Sequence, residues 1–213
     1  MNLYLIRHGE SLGNLNGEIQ GCKDYPLSEL GKRQVESVAR YLKNIELNYL
    51  YSSDLTRAYD TAKVIGQAKG LTVHKWEKVR EVHLGPLQGL SRNEIYEQFP
   101  ATLKRSILTS GINGTETTDA LTKRCQYVID QLQLAHENDD VGIVSHGGFI
   151  SILLMYLLTG DQWPTLHRPF QIQNTSITHI EWSKNSNKPL IHYTNRTQHL
   201  ESLMDDQSQV GFL

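Results

Sequence analysis

Three short apolar runs, at residues 3–6, 47–51 and 141–144, each break directly into a polar turn, and this pattern limits the possible folds most sharply. The turns read Arg7-His8-Gly9, Ser52-Ser53-Asp54 and Ser145-His146-Gly147-Gly148. Compact apolar runs of this length fit strands buried on both faces of a sheet. Helical spacing separates them. Val35, Val38, Ala39 and Leu42 follow Ser28; Ala58, Ala62, Ile65 and Ala68 run from Leu55 toward a stop at Gly70; Leu121, Cys125, Val128, Ile129 and Leu132 form a longer amphipathic pattern. Alternation of this kind predicts an α/β fold of three layers, with a mostly parallel central sheet covered by helices on both faces.

Residues 71–74 supply a further short strand, residues 149–158 a mostly buried helix, and residues 177–182 and 190–193 late strands. Ser91-Arg92-Asn93-Glu94 has capping-box spacing, and its helix should stop near Phe99-Pro100. Residues 109–118 are rich in Ser, Thr and Gly and read as a surface loop or lid. No internal repeat or linker divides the chain. Residues 1–213 are expected to form one domain, with a short helical cap at about residues 82–120 and a peripheral tail at 205–213.

Composition matters here through charge. The formal net charge of −2 gives no global attraction to nucleic acid or to an anionic membrane, so positive potential for an anionic ligand must be built locally. The longest apolar stretch is too short to span a bilayer, and Met1 leads straight into a strand pattern without a basic leader. The expected location is the cytoplasm, with monomer or homodimer both open. Cys22 and Cys125 match no metal spacing and are expected to be reduced.

In an open parallel sheet, the carboxyl ends of the strands line a common crevice where ligands bind. Topology therefore brings His8, His146 and the start of the Leu55 helix to one edge. Arg57 falls in the first turn of that helix, where the dipole already favours an anion. A lone histidine after a strand is usually structural. Two glycine-flanked histidines at strand ends, accompanied by Arg7 and Arg57, fit that bland account poorly.

The segment Leu5-Ile6-Arg7-His8-Gly9-Glu10-Ser11, with Asn14 after it, resembles the signature of the histidine phosphatase superfamily, which has a phosphoglycerate mutase-like fold. The later segments Asp24-Tyr25-Pro26-Leu27-Ser28, Ser52-Ser53-Asp54-Leu55-Thr56-Arg57-Ala58, Arg80-Glu81 and Val144-Ser145-His146-Gly147-Gly148 are similar to the family pattern in order and spacing. The resemblance implies a phosphatase acting on small phosphate monoesters through a phosphohistidine on His8. It implies no metal and no cofactor. His146, Arg7 and Arg57 would then neutralise the phosphoryl oxygens, and Glu81 would protonate the leaving oxygen and afterwards activate water. Asn14, Gln20, Gly21 and Gly147 resemble substrate-lining positions. Attack requires a neutral imidazole, and like charge from Arg7 and Arg57 should lower the pKa of His8. Ser53 is expected simply to support its loop, and Glu10 is a second, structural carboxylate beside His8.

The span between Glu81 and His146 contains no Arg-Arg pair, whereas the family's mutases carry adjacent arginines on a longer cap. Phosphatase is therefore expected over phosphoglycerate mutase, although Lys104-Arg105 keeps the mutase as an alternative. Gln88 and Gly114-Thr115-Glu116-Thr117 also depart from the commoner family forms. A non-catalytic phosphate-binding scaffold would be expected to lack His8, His146 or Glu81, and all three are present. No glycine-rich nucleotide loop follows a strand, so a nucleotide-binding protein has little support.

Overall fold

The computed structural model describes residues 1–104, 106–167, 169–183 and 188–204. In chain order its first half contains β1 (Asn2–Arg7), α1 (Leu12–Leu15), β2 (Glu18–Ile19), α2 (Glu29–Leu42), β3 (Tyr49–Ser52), α3 (Thr56–Lys69) and β4 (Val73–Lys75). The second half adds β5 (Leu90–Ser91), α4 (Arg92–Gln98), α5 (Thr118–Ala135), β6 (Asp140–Ser145), α6 (Gly147–Thr159), β7 (Ile177–Trp182) and β8 (Pro189–Arg196). Six strands form one sheet in the order β4-β3-β6-β1-β7-β8.

The four strands from β4 to β1 are parallel, and β7 and β8 are antiparallel to their neighbours. The sheet is thus mixed and mostly parallel. Register sets the site: Arg7 pairs with Ser145, and Ser52 pairs with Val144. The next residue along each strand, namely His8, Ser53 and His146, consequently emerges at the same edge.

Helices cover both faces because each strand has two apolar faces to hide. On one face Val38, Leu42, Ala58, Ala62 and Ile65 from α2 and α3 pack on Ile6, Leu50 and Val144. On the other, Leu121, Cys125 and Val128 of α5 and Phe149, Ile152 and Leu153 of α6 join Leu3, Leu5, Val141 and Ile143. Fully burying one such aliphatic side chain contributes about 1.5–3 kcal/mol. α6 lies so deep that all of Gly147 to Met155 is buried, which explains its lack of a polar face.

Local sequence fixes the helix ends. The Ser28 hydroxyl accepts from Gly31 N–H and starts α2, and the Thr117 hydroxyl does the same for α5 through Ala120 N–H. Gly70 ends α3 in the left-handed conformation, φ +68°, as the sequence predicts. Gly31 has a second role. A side chain there would collide with the Glu10 carbonyl, so its absence lets α2 press against the loop after β1.

The region over the strand ends adds one feature that the sequence reading lacks. The two-residue strands β2 and β5 pair with each other, and such short strands leave no periodicity to read. Residues 109–118 run mostly as the surface loop the sequence predicts, and they are tied down at two points. Ser110 is buried, Glu116 N–H donates to the His83 carbonyl at 2.7 Å, and the Glu116 carboxylate accepts from His83 N–H at 3.2 Å. The capping box at Ser91 and the stop before Pro100 occur as predicted, and 3-10 turns follow at Pro100–Lys104 and Ile107–Thr109.

Cys22 and Cys125 are both free thiols, and burial pushes the Cys125 thiol up to about 12. No described helix is long and apolar enough to cross a membrane. Residues 205–213, read from sequence as a peripheral tail, lie outside the described residues.

Candidate active site

His8 is 2% exposed and follows β1 directly. Its Nδ1 lies 2.6 Å from the Gly9 carbonyl, which can only accept, so Nδ1 carries the hydrogen. The lone pair of the neutral ring is therefore on Nε2, where Arg57 Nε–H donates at 3.3 Å. Burial lowers the His8 pKa well below its ordinary 6.5, and Arg57 and then Arg7 lower it further. The sequence reading identified the arginines and missed the larger cause, which is desolvation.

Arg57 is 1% exposed, and its guanidinium is held by two backbone carbonyls, Nη2 to Gly21 at 2.8 Å and Nη1 to Lys23 at 2.9 Å. That loop is itself pinned to α3. Asp24 accepts from Thr56 N–H at 2.9 Å and from the Thr56 hydroxyl at 2.6 Å, supplying the helix cap that Leu55 lacks. Gly21 thus orients Arg57 through its carbonyl.

His146 is wholly buried at the N-terminal boundary of α6, with its ring centroid 5.0 Å from that of His8. Burial lowers its pKa well below 6.5, aided by Arg57, His8, Arg7 and Arg124. Its Nε2 meets the Ser53 hydroxyl at 2.8 Å, and its Nδ1 is buried without a hydrogen-bond partner among the described residues. Arg7 Nη1 donates to the Ile172 carbonyl at 2.7 Å, and the Arg7 side chain runs past Gly147, where a Cβ would lie 3.3 Å from Nε. Gly147 thus leaves Arg7 its path.

Glu81 enters from the loop after the 3-10 turn Glu77–Val79. Its carboxylate accepts from Gly148 N–H at 3.0 Å, Phe149 N–H at 2.8 Å and Val82 N–H at 3.0 Å. It therefore sits on the first turn of α6, one residue beyond His146 and Gly147. A Cβ on Gly148 would lie 2.5 Å from Glu81 Oε1, so this docking depends on glycine there. The preceding Arg80 forms a two-point ion pair with Asp54, with Nε to Oδ1 at 2.6 Å, and this pair links the Glu81 loop to the turn carrying Ser53.

The remaining predicted positions divide. Asn14 and Gln20 converge on Ser11: Asn14 Oδ1 accepts from Ser11 N–H at 3.2 Å, and Gln20 Oε1 accepts from the Ser11 hydroxyl at 2.7 Å. Glu10 accepts from the Ser28 hydroxyl at 2.6 Å. Gln88 Oε1 accepts from Cys22 N–H at 2.7 Å and Leu84 N–H at 3.2 Å, bridging the Arg57 loop to the Glu81 loop. Lys104 is exposed in its 3-10 turn, and Arg105 lies outside the described residues.

Sequence reasoning missed three contributors. Asn174 Nδ2 donates to the His8 carbonyl at 3.1 Å and to Asn14 Oδ1 at 3.2 Å. Thr175, at φ +56°, donates its N–H to the same His8 carbonyl at 3.2 Å, an uncommon conformation for a β-branched residue. Arg124 on α5 pairs with Glu116 at 3.1 Å and lies 4.5 Å over the Phe149 ring. For the first two, the only signal was a polar cluster before an apolar run. Arg124 reads in sequence as an ordinary helix-surface charge.

The family model for the histidine phosphatase superfamily, branch 1, matches residues 3–195. The chain belongs to the histidine phosphatase superfamily. Among curated relatives, the probable phosphoglycerate mutase GpmB of Yersinia pestis is 31% identical over 189 residues, covering 86% of each chain. A solved phosphoserine phosphatase from Entamoeba histolytica, in complex with phosphoserine, is 32% identical with a TM-score of 0.78. That alignment covers 93% of this chain and 98% of the other. Mycobacterial glucosyl-3-phosphoglycerate phosphatase is 30% identical with a TM-score of 0.80, covering 91% of this chain and 98% of its own. Membership of the histidine phosphatases, together with these neighbours, supports a phosphoric monoester hydrolase.

Proposed function

We propose that this histidine phosphatase hydrolyses small organic phosphate monoesters in two steps through His8. The observation that carries the reading is the tautomer of His8. The Gly9 carbonyl holds the hydrogen on Nδ1, so the lone pair on Nε2 is left beside the Arg57 guanidinium. In the first step Nε2 forms the bond to phosphorus as the bond to the leaving oxygen breaks. Arg57, Arg7 and His146 stabilise the equatorial oxygens, and Glu81 gives the leaving oxygen its proton. In the second step water attacks phosphorus, Glu81 takes its proton, and the Nε2–phosphorus bond breaks to release inorganic phosphate. Asn14, Gln20, Gly21 and Gly147 contribute by holding Ser11, Arg57 and Arg7 in place around the substrate.

One of the neighbouring phosphatases was solved with phosphoserine and again with 3-phosphoglyceric acid, so phosphorylated three-carbon acids are the first substrates to test. Transfer to such an acid in place of water is the second reading, favoured by the relative that carries a mutase name. The segment from about residue 82 to residue 120 would act as the cap, in a single domain working in the cytoplasm as a monomer or a homodimer, without nucleic acid or membrane.

The test is a single-turnover reaction with p-nitrophenyl phosphate, quenched in acid and in base. An acid-labile, base-stable phosphoprotein that yields inorganic phosphate and disappears in His8→Ala is the expected result. Faster transfer to 3-phosphoglycerate than to water would favour the mutase. Turnover at the wild-type rate in His8→Ala would overturn the assignment.

A further inference from the structure

The polar groups behind His146 carry one more step. Ser53 is completely buried, and among the described residues its hydroxyl has two neighbours within hydrogen-bond reach, Leu55 N–H at 3.3 Å and His146 Nε2 at 2.8 Å. The first is a donor, so it occupies a lone pair of the hydroxyl and takes no hydrogen from it. Among the described residues the hydroxyl hydrogen then has a single acceptor, the Nε2 lone pair of a neutral His146. A neutral ring that accepts at Nε2 must carry its hydrogen on Nδ1, the nitrogen that is buried without a partner.

We infer that Ser53 is a positioning residue that selects the Nδ1–H tautomer of His146, so that this histidine meets the phosphoryl group as a neutral hydrogen-bond donor. The inference rests on the proposed role of His146 and extends it. The two histidines are then complementary. The Gly9 carbonyl makes His8 Nε2 a lone-pair site, and the Ser53 hydroxyl makes His146 Nδ1 a donor, although the rings lie only 5.0 Å apart. The turn holding Ser53 is braced by the adjacent Asp54–Arg80 pair, so the hydroxyl is fixed before substrate arrives.

The experiment compares wild type, Ser53→Ala, Ser53→Cys and His146→Ala. For each, phosphoenzyme formation from p-nitrophenyl phosphate is timed, and long-range proton–nitrogen NMR reads the imidazole tautomers. The expected result for Ser53→Ala is a rate about tenfold to a hundredfold lower with KM changed less than about twofold, and loss of the pure Nδ1–H signature of His146. Ser53→Cys, a weaker donor of similar size, should fall between and decides the matter if the alanine variant does not fold. A wild-type rate with an unchanged tautomer in these variants, while His146→Ala is inactive, would overturn this inference alone. A wild-type rate in His146→Ala would overturn the reading of the site on which it rests.

Discussion

The floor of the crevice and the region above it are built by opposite means. The floor consists of His8, Ser53 and His146, each one step beyond a parallel strand, with Arg57 from the first turn of α3, and all four are buried to 2% exposure or less. Most of their polar contacts run to backbone, from the Gly9, Gly21 and Lys23 carbonyls to Leu55 N–H. The region above is a seven-residue helix followed by two 3-10 turns, with Leu103 66% exposed and Ile95 and Ile107 as its apolar anchors. Backbone contacts change little when side chains are substituted, whereas short turns retained by a few side chains are easily altered. Under the proposed function, chemistry would belong to the floor and substrate choice to the turns above it.

The strongest challenge to this division is Arg57→Lys. A lysine keeps the charge and loses the fork that spans Gly21, Lys23 and His8, so kcat should fall by about a hundredfold to a thousandfold. Retention of kcat within tenfold would mean that charge alone suffices on the floor. Gly148→Ala comes next. Its methyl group takes the space of Glu81 Oε1, and displacing the carboxylate by about 1 Å should cost roughly a hundredfold, most visibly for esters with poor leaving groups. An equal loss for p-nitrophenyl phosphate and alkyl phosphates would show that the floor had been distorted in general.

A pH profile sharpens the comparison on a smaller scale. In the proposed mechanism the reactive form of His8 is neutral, and its folded pKa is depressed, so that form persists as pH falls through 6.5. After correction for substrate ionisation, phosphoenzyme formation should change less than about threefold between pH 7.5 and 5.5, where an ordinary histidine would lose about tenfold. The tenfold loss would place His8 in contact with solvent. The smallest effect is expected above the floor: Lys104→Ala should alter kcat/KM for p-nitrophenyl phosphate by no more than about twofold. A tenfold rise in KM would bring Lys104 into contact with the phosphate and erase the boundary between the two regions.

The same contrast explains what could be read from sequence. His8, Arg57 and His146 were legible because a buried apolar run followed by a polar turn announces a strand end, and strand ends in a parallel sheet share an edge. Direction was not legible for β7 and β8, since an apolar run specifies a strand and not which way it points. The docking of Glu81 was hidden because it depends on an atom that is missing, the Cβ of Gly148. Asn174 and Thr175 reach the His8 carbonyl from a loop with no periodicity, and nothing short of the folded chain connects them. The role of Ser53 depends on where a single hydroxyl hydrogen goes, which spacing cannot express.

The place of β1 in the middle of the sheet has a consequence for how the protein is made. Asn2 pairs with Asp140, 138 residues later, and on the other side with Glu181. At a synthesis rate of about 5–20 residues per second, β1 waits roughly 7–28 seconds for its first neighbour. Contacts of such separation pay chain entropy before pairing returns any of it, so they form late. During that interval the apolar strand that leads into His8 has two open edges, each a template for pairing with the wrong chain. Of the six sheet strands, β1 waits longest for a neighbour, and it is therefore the one most in need of protection while the chain grows.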